Sequence, residues 1–388
     1  MKGSRREFLH GMGGAASVVA LGSIGSAFAA VGADRLIVVT NGGGKGIPPS
    51  MSLIDPDTLE VLLTVSAAAS FSLPATRWAY ARDIIWGGTG QKISGISLAT
   101  GAEVAAVETA SKRNYTELTP DGRFVLSAAR FEDKLYKVDA RPDAANSERV
   151  VEVAEHYKGS SPCDMTILAD GSYAFTPDRL GETVSVFRVN PLTKVATVPL
   201  ERLGEAPLEP YMATVSPRGD YLLVENARKP GSESILDVRD PEHPVEVLRL
   251  TQADGLGDTP ITSEITPDGR FGVVICRGSS ELTVIDLDAL AVHGRVALLE
   301  KSNPITGAFT PEGDRFFVPL PGRDAVAVVS VPQFEVIKLV PVGTRPLGAV
   351  YLESPVPQRQ GMLTPLGTAL MAGREWPATC PDRCCGTV

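Results

Sequence analysis

A single six-residue phrase recurs along this chain. It reads Thr119-Pro-Asp-Gly-Arg-Phe124 and returns unchanged at 266–271, with weaker copies at Leu168-Ala-Asp-Gly-Ser-Tyr173, Ser216-Pro-Arg-Gly-Asp-Tyr221 and Thr310-Pro-Glu-Gly-Asp-Arg315. Each copy leads into a short apolar run, a polar loop, an alternating β-branched run and a turn. Pro donates nothing to a strand ladder and Gly takes a positive φ without penalty, so the phrase marks the corner of a hairpin. Its glycines fall at 122, 171, 219, 269 and 313, a spacing of 44 to 50 residues. That is the period of a propeller blade, and a closed array of blades makes one large domain of a chain this long.

The units can be laid over one another from Asp34 onward. The runs Arg35-Leu-Ile-Val-Val-Thr-Asn41, Met51-Ser-Leu-Ile-Asp55 and Leu59-Glu-Val-Leu-Leu-Thr-Val65 give three strands with no phrase-bearing strand before them. Later units open near Pro74, near Asn114 and at Pro162, Pro210, Pro260 and Pro304. After the last, Pro346-Leu-Gly-Ala-Val-Tyr-Leu352 reads as one more opening strand, and then the pattern stops. The sequence therefore predicts an all-β, seven-bladed propeller whose final strand completes the first blade, joining the chain ends without an exposed edge. The third strands, Thr183–Phe187, Glu281–Asp286 and Ala325–Val329, alternate most clearly.

The order of opening Pro, apolar strand, Thr-Pro-Asp-Gly-Arg-Phe, apolar strand, polar loop and Thr-Val-Ile-Asp resembles the YVTN family of β-propellers, which includes periplasmic proteins of the YncE type. The resemblance covers residues 34–352. It implies a fold and leaves function open: in this family and its cousins the repeat serves ligand binding, scaffolding, lactone hydrolysis or isomerisation, and a subunit of quinoprotein amine dehydrogenases.

Residues 1–29 read as an address. Ser4-Arg-Arg-Glu-Phe-Leu9 carries the paired arginines of a twin-arginine export signal, a Gly/Ala-rich stretch follows, and Ala27-Phe28-Ala29 is a small-x-small cleavage site. The expectation is a periplasmic or secreted product with no membrane attachment after cleavage. Loss of Lys2, Arg5, Arg6 and Glu7 takes the formal charge from −9 to −11, which argues against nucleic acid as the partner.

Chemistry is expected at the channel mouth. The loop between second and third strands holds a basic residue in every blade: Lys45, Lys92, Arg130, Arg179, Arg228, Arg277 and Arg323. Seven cations around one mouth make a positive funnel for an anionic small molecule or an acidic protein segment. The competing reading pairs them with neighbouring carboxylates, Glu132, Asp133, Asp178, Glu225, Glu281 and Asp324 among them. Counting along the inner strands gives two polar columns, Asp164, Tyr115, Thr262 and Thr306, and Trp78, Glu117 and Glu264. Glu117 and Glu264 are the candidate acid–base carboxylates. Of four histidines only His156 lies in a loop leading to the mouth, so it is the candidate base of a lactonase or isomerase and a multi-His metal centre is not expected. A third role is docking a periplasmic redox protein.

The tail, 353–388, is not required by the blades. Cys380, Cys384 and Cys385 sit together there. Two chemistries fit: a disulfide, either local or to Cys163 or Cys276, and a thiolate site for Cu or Zn. No other cofactor is evident in the sequence.

Overall fold

The computed structural model describes residues 33–68, 84–88, 90–97, 101–112, 114–202 and 204–353. Within them the chain forms seven antiparallel sheets arranged as the blades of a propeller, with two single 3-10 turns, Asn146–Glu148 and Gln252–Asp254. Blade 1 is built from Pro346–Glu353, Arg35–Asn41, Ser50–Asp55 and Glu60–Ser66, counted from the channel outward. Its first strand comes from the far end of the chain, pairing Arg35 with Glu353 through Thr40 with Gly348. The predicted ring closure is thus observed. Blade 2 contributes Ile84–Gly88, Lys92–Ser97 and Glu103–Glu108, and the strand expected near Pro74 lies outside the described residues. Blades 3 to 7 open with Asn114–Leu118, Thr166–Ile167, Pro210–Val215, Pro260–Ile265 and Ala308–Phe309.

The repeated phrase forms the corner between first and second strands. In blade 3 the Thr119 hydroxyl accepts from Phe124 N and donates to Asp121, Asp121 accepts from Arg123 N, and Gly122 sits at φ +69°. The same arrangement returns at Thr266, Asp268 and Gly269 in blade 6. Side chains that would otherwise solvate the turn satisfy its backbone, so the corner is specified locally.

Blades then stack through their faces. Phe175, Val184 and Val186 of blade 4 pack on Leu222, Val224 and Leu236 of blade 5, all fully buried. Burying each such side chain contributes about 1.5–3 kcal/mol. The near-continuous apolar runs follow from burial on both faces. Near the mouth the seams of blades 1, 4 and 5 turn polar. The last residue of the second strand reaches the third-strand hydroxyls: Asn41 to Ser50 and Ser52, Asp178 to Thr183 and Ser185, Asn226 to Ser232 and Ser234.

Candidate functional site

The loops between second and third strands and those leading into each inner strand share one end of the ring. Asp133, in the former loop of blade 3, accepts from Gly159 N, Ser160 Oγ and Ser161 N in the loop leading into blade 4. This end is the channel mouth.

Here the seven loop cations have unlike fates. Lys92, which opens its third strand instead of lying in the loop, pairs with Glu103 and Glu108, both at 3.4 Å. Glu209 takes two: Arg179 donates Nε and Nη2 to its Oε2 at 3.2 and 2.6 Å, and Arg228 Nη1 donates to Oε1 at 3.1 Å. Arg130 is buried, with Nε donating to Ser161 Oγ at 3.1 Å. Arg323 donates to the Glu300 carbonyl oxygen. Three of the cations, Lys92, Arg179 and Arg228, are paired, and their partners Glu103, Glu108 and Glu209 are other carboxylates than those named from the sequence. Arg277 lines an open cleft.

The inner strands resolve the two polar columns. Pro210 and Pro260 are each followed by a β-bulge, between Pro210 and Met212 and between Pro260 and Thr262. The extra residue shifts the face presented to the channel. Thr262 is consequently buried and Thr306 is buried too, while Tyr115, Glu117, Asp164, Tyr211 and Glu264 are half-buried on the channel wall. Tyr211 escapes the sequence count for the same reason, since it stands one place past its Pro. Trp78 lies outside the described residues.

A compact polar group results at the mouth on the side of blades 3 to 5. The Tyr115 and Tyr211 hydroxyls are 3.5 Å apart, and the Arg179 guanidinium lies over the Tyr211 ring at 5.6 Å. Asp164 Oδ2 accepts from Ala213 N at 3.2 Å. Burial raises the Asp164 carboxyl to about 7, against the lowering effect of the Ala213 and Met165 amides. Deeper in the channel, burial raises Glu264 to about 8, although Thr306 Oγ1 donates to its Oε1 at 3.2 Å. The Asp164 charge adds to that rise. Burial likewise pushes the Tyr115 phenol up, so it stays a proton donor across the physiological range. Beside it the Cys163 thiol is fully buried and raised to about 11, again chiefly by burial.

His156 is placed otherwise than expected. It follows the outer strand of blade 3, Val150–Glu155, with its side chain fully enclosed, Nδ1 lying 3.1 Å from Asp178 Oδ1 and its ring against Phe187 at 4.7 Å. Water and substrate cannot reach it, so it is a latch between blades 3 and 4 and not a mouth base. His243 is exposed and held by Asp240, and His293 packs between Phe271 and Phe334 within an outer strand. Cys163 and Cys276 are buried free thiols. Cys380, Cys384 and Cys385 lie outside the described residues, as do residues 1–29. Among the described residues no group of three or more His, Cys, Asp or Glu side chains could hold a metal ion.

The family profile described as "Lactonase, 7-bladed beta-propeller" matches residues 95–326. Among solved structures, the periplasmic gluconolactonase PpgL of Pseudomonas aeruginosa is similar at 20% identity, covering 83% of this chain and 99% of that one with a TM-score of 0.67. A functionally unknown protein from Desulfotomaculum acetoxidans is similar at 15% identity, covering 83% and 100% with a TM-score of 0.62. Hydrazine synthase of Kuenenia stuttgartiensis follows at 16% identity, 71% and 88% coverage and a TM-score of 0.57. At these identities the likeness is one of fold. No curated protein matches the sequence.

Proposed function

The chain belongs to the seven-bladed β-propeller lactonase family, and from that premise we propose that it hydrolyses a sugar lactone at the channel mouth. The observation that carries the proposal is the half-buried Asp164, its carboxyl held at about 7, in a mouth that also presents two phenols and the Arg179 guanidinium. A general base is most effective when its pKa lies near the working pH. The gluconolactonase name of the P. aeruginosa neighbour supports the substrate class.

In the proposed reaction Asp164 takes a proton from water, whose oxygen attacks the lactone carbonyl carbon. The oxyanion formed there is stabilised by donors already in place, the Tyr115 and Tyr211 hydroxyls and Arg179. Collapse breaks the ring carbon–oxygen bond, and the proton on Asp164 passes to the departing alkoxide. One lactone and one water become one hydroxy acid. Glu264, raised to about 8, is mostly protonated at neutral pH and so adds little negative charge below Asp164. The buried His156 takes no part.

We place this activity outside the cytoplasm, on the strength of the paired arginines and the Ala27-Phe28-Ala29 site; an amino terminus still beginning at Met1 in exported protein would contradict that. The reaction is tested by acid release from glucono-1,5-lactone and related lactones in a pH-stat. Turnover is expected to rise with pH through a midpoint near 7, as Asp164 deprotonates. Asp164→Asn should lower kcat by about 100-fold or more with little change in KM. Full turnover by Asp164→Asn, or no catalysis above the spontaneous rate for any lactone, would overturn the reading.

A further inference from the structure

Blades 5, 6 and 7 enclose a cleft of ≈ 540 Å³ at the mouth end, lined by Lys229, Thr259, Arg277, Gly278, Ser280, Lys301 and Asn303. The lining comes from four loops: Lys229 from the second-to-third-strand loop of blade 5, Thr259 from the loop into blade 6, Arg277, Gly278 and Ser280 from the corresponding loop of blade 6, and Lys301 and Asn303 from the loop into blade 7. None of the channel acids or phenols lines it.

Three of the lining residues are cations and none is a carboxylate. Across the same mouth Glu209 holds Arg179 and Arg228, and Glu103 and Glu108 hold Lys92. No salt bridge among the described residues engages Arg277, Lys229 or Lys301. Asp258 packs behind Gly278 with its Oδ1 taking the Thr259 hydroxyl at 3.1 Å, and Glu281, which follows Ser280, is answered by Arg295 at 3.4 Å. Counting Asp258 against the three cations leaves a local charge of about +2 in a concave site. Arg277 is half-buried there, and Lys229 and Lys301 are exposed.

From this arrangement we infer that the cleft binds the phosphate-type oxyanion of a small soluble molecule. A phosphate group carries about −1.5 to −2 at neutral pH, matching the local excess. Arg277 presents a planar fork for two parallel bonds, while Lys229 and Lys301 act as point charges. The volume falls within the roughly 300–1,000 Å³ typical of small-molecule sites. The left-handed backbone of Thr259, Ser280 and Asn303 does not enter the argument, because equivalent residues in other blades, Glu209, Glu182 and Ser161, share it. The inference is independent of lactone hydrolysis.

The test is calorimetric titration of the signal-cleaved chain with inorganic phosphate, with KCl holding ionic strength constant. Saturable one-to-one binding is expected. Arg277→Ala and Lys301→Ala should each weaken it about tenfold, the scale of one charged hydrogen bond. Lys158→Ala removes an exposed cation of the loop into blade 4 and should leave affinity unchanged, with melting temperatures confirming that all variants fold. Absence of saturation, or equal weakening by all three substitutions, would reduce the cleft to diffuse surface charge and overturn the proposal. Vesicles of phosphatidic acid provide the second arm: capture that Arg277→Ala abolishes, without saturable phosphate binding, would replace the soluble ligand with a membrane surface.

Discussion

Blades 4 and 5 bury carboxylates at almost the same position and meet the cost of burial in opposite ways. Asp178 ends the second strand of blade 4 and is fully enclosed, with Oδ1 facing His156 Nδ1 and Oδ2 accepting from Thr183 Oγ1 at 2.8 Å and Ser185 Oγ at 2.6 Å. One blade on, Glu225 and Glu233 face each other across neighbouring strands, equally enclosed. None of their four oxygens has a partner in ordinary hydrogen-bond geometry among the described residues. Blade 4 answers burial with donors. Blade 5 answers it with protons: burial raises Glu225 to about 8 against the lowering effect of the Ser263 hydroxyl and its own backbone amide, and the negative field of Asp164 and Glu264 adds to the rise. Glu233 is pushed well above the ordinary range by burial and by Glu225 itself. A buried acid therefore acts as a clasp or as a pH-dependent burden according to whether its neighbours can donate.

The largest effect should come from breaking the clasp. Asp178→Ala leaves His156 Nδ1 and Ser185 Oγ unpartnered in a closed seam, while Thr183 keeps Tyr157, and should cost about 3 kcal/mol or more in urea unfolding, with Asp178→Asn recovering part of it. A cost below about 1 kcal/mol would mean the polar seam is incidental.

Next comes the pH behaviour of the burden. Glu225 has a folded pKa above its unfolded value, so between roughly pH 4.5 and 8 the native state binds the extra proton and stability falls as pH rises. Over that window Glu225→Gln should gain on the parent by up to about 1.4 kcal/mol per pH unit for that one group. Parallel stability–pH curves for the two proteins would place an unseen donor beside Glu225.

The smallest and sharpest contrast uses two serines. Ser185→Ala removes a bond to Asp178 and should cost about 1 kcal/mol. Ser263 lies beside Glu225 but outside ordinary hydrogen-bond geometry, and its replacement by Ala should cost less than that of Ser185. Equal costs at the two positions would erase the distinction between the blades.

The legible part of this protein is its repeat. The corner phrase, the order of apolar and polar runs and the surplus strand at Pro346 each depend on neighbours in sequence, and each stands where it was expected. The candidate site was legible only as residue types at one end of the ring. Arg179, Arg228 and Arg277 look alike in the sequence, yet Glu209 from the next loop neutralises the first two and Arg277 is left facing a cleft. His156 read as a base because loops near a mouth are usually open. Its burial depends on Asp178 and Phe187, more than twenty residues away.

By itself, then, the sequence determined an all-β ring of seven blades, its closure by the last strand, and a basic residue at or beside the same loop of every blade, since turn chemistry and period-two alternation are local properties of the chain. Tertiary structure alone decided which side chains face the channel, because a one-residue bulge after the opening Pro moves that choice to the other face. It also decided which acids keep their protons and which cations keep their charge unanswered. Those outcomes depend on burial and on partners from adjacent blades, brought together only when the ring closes.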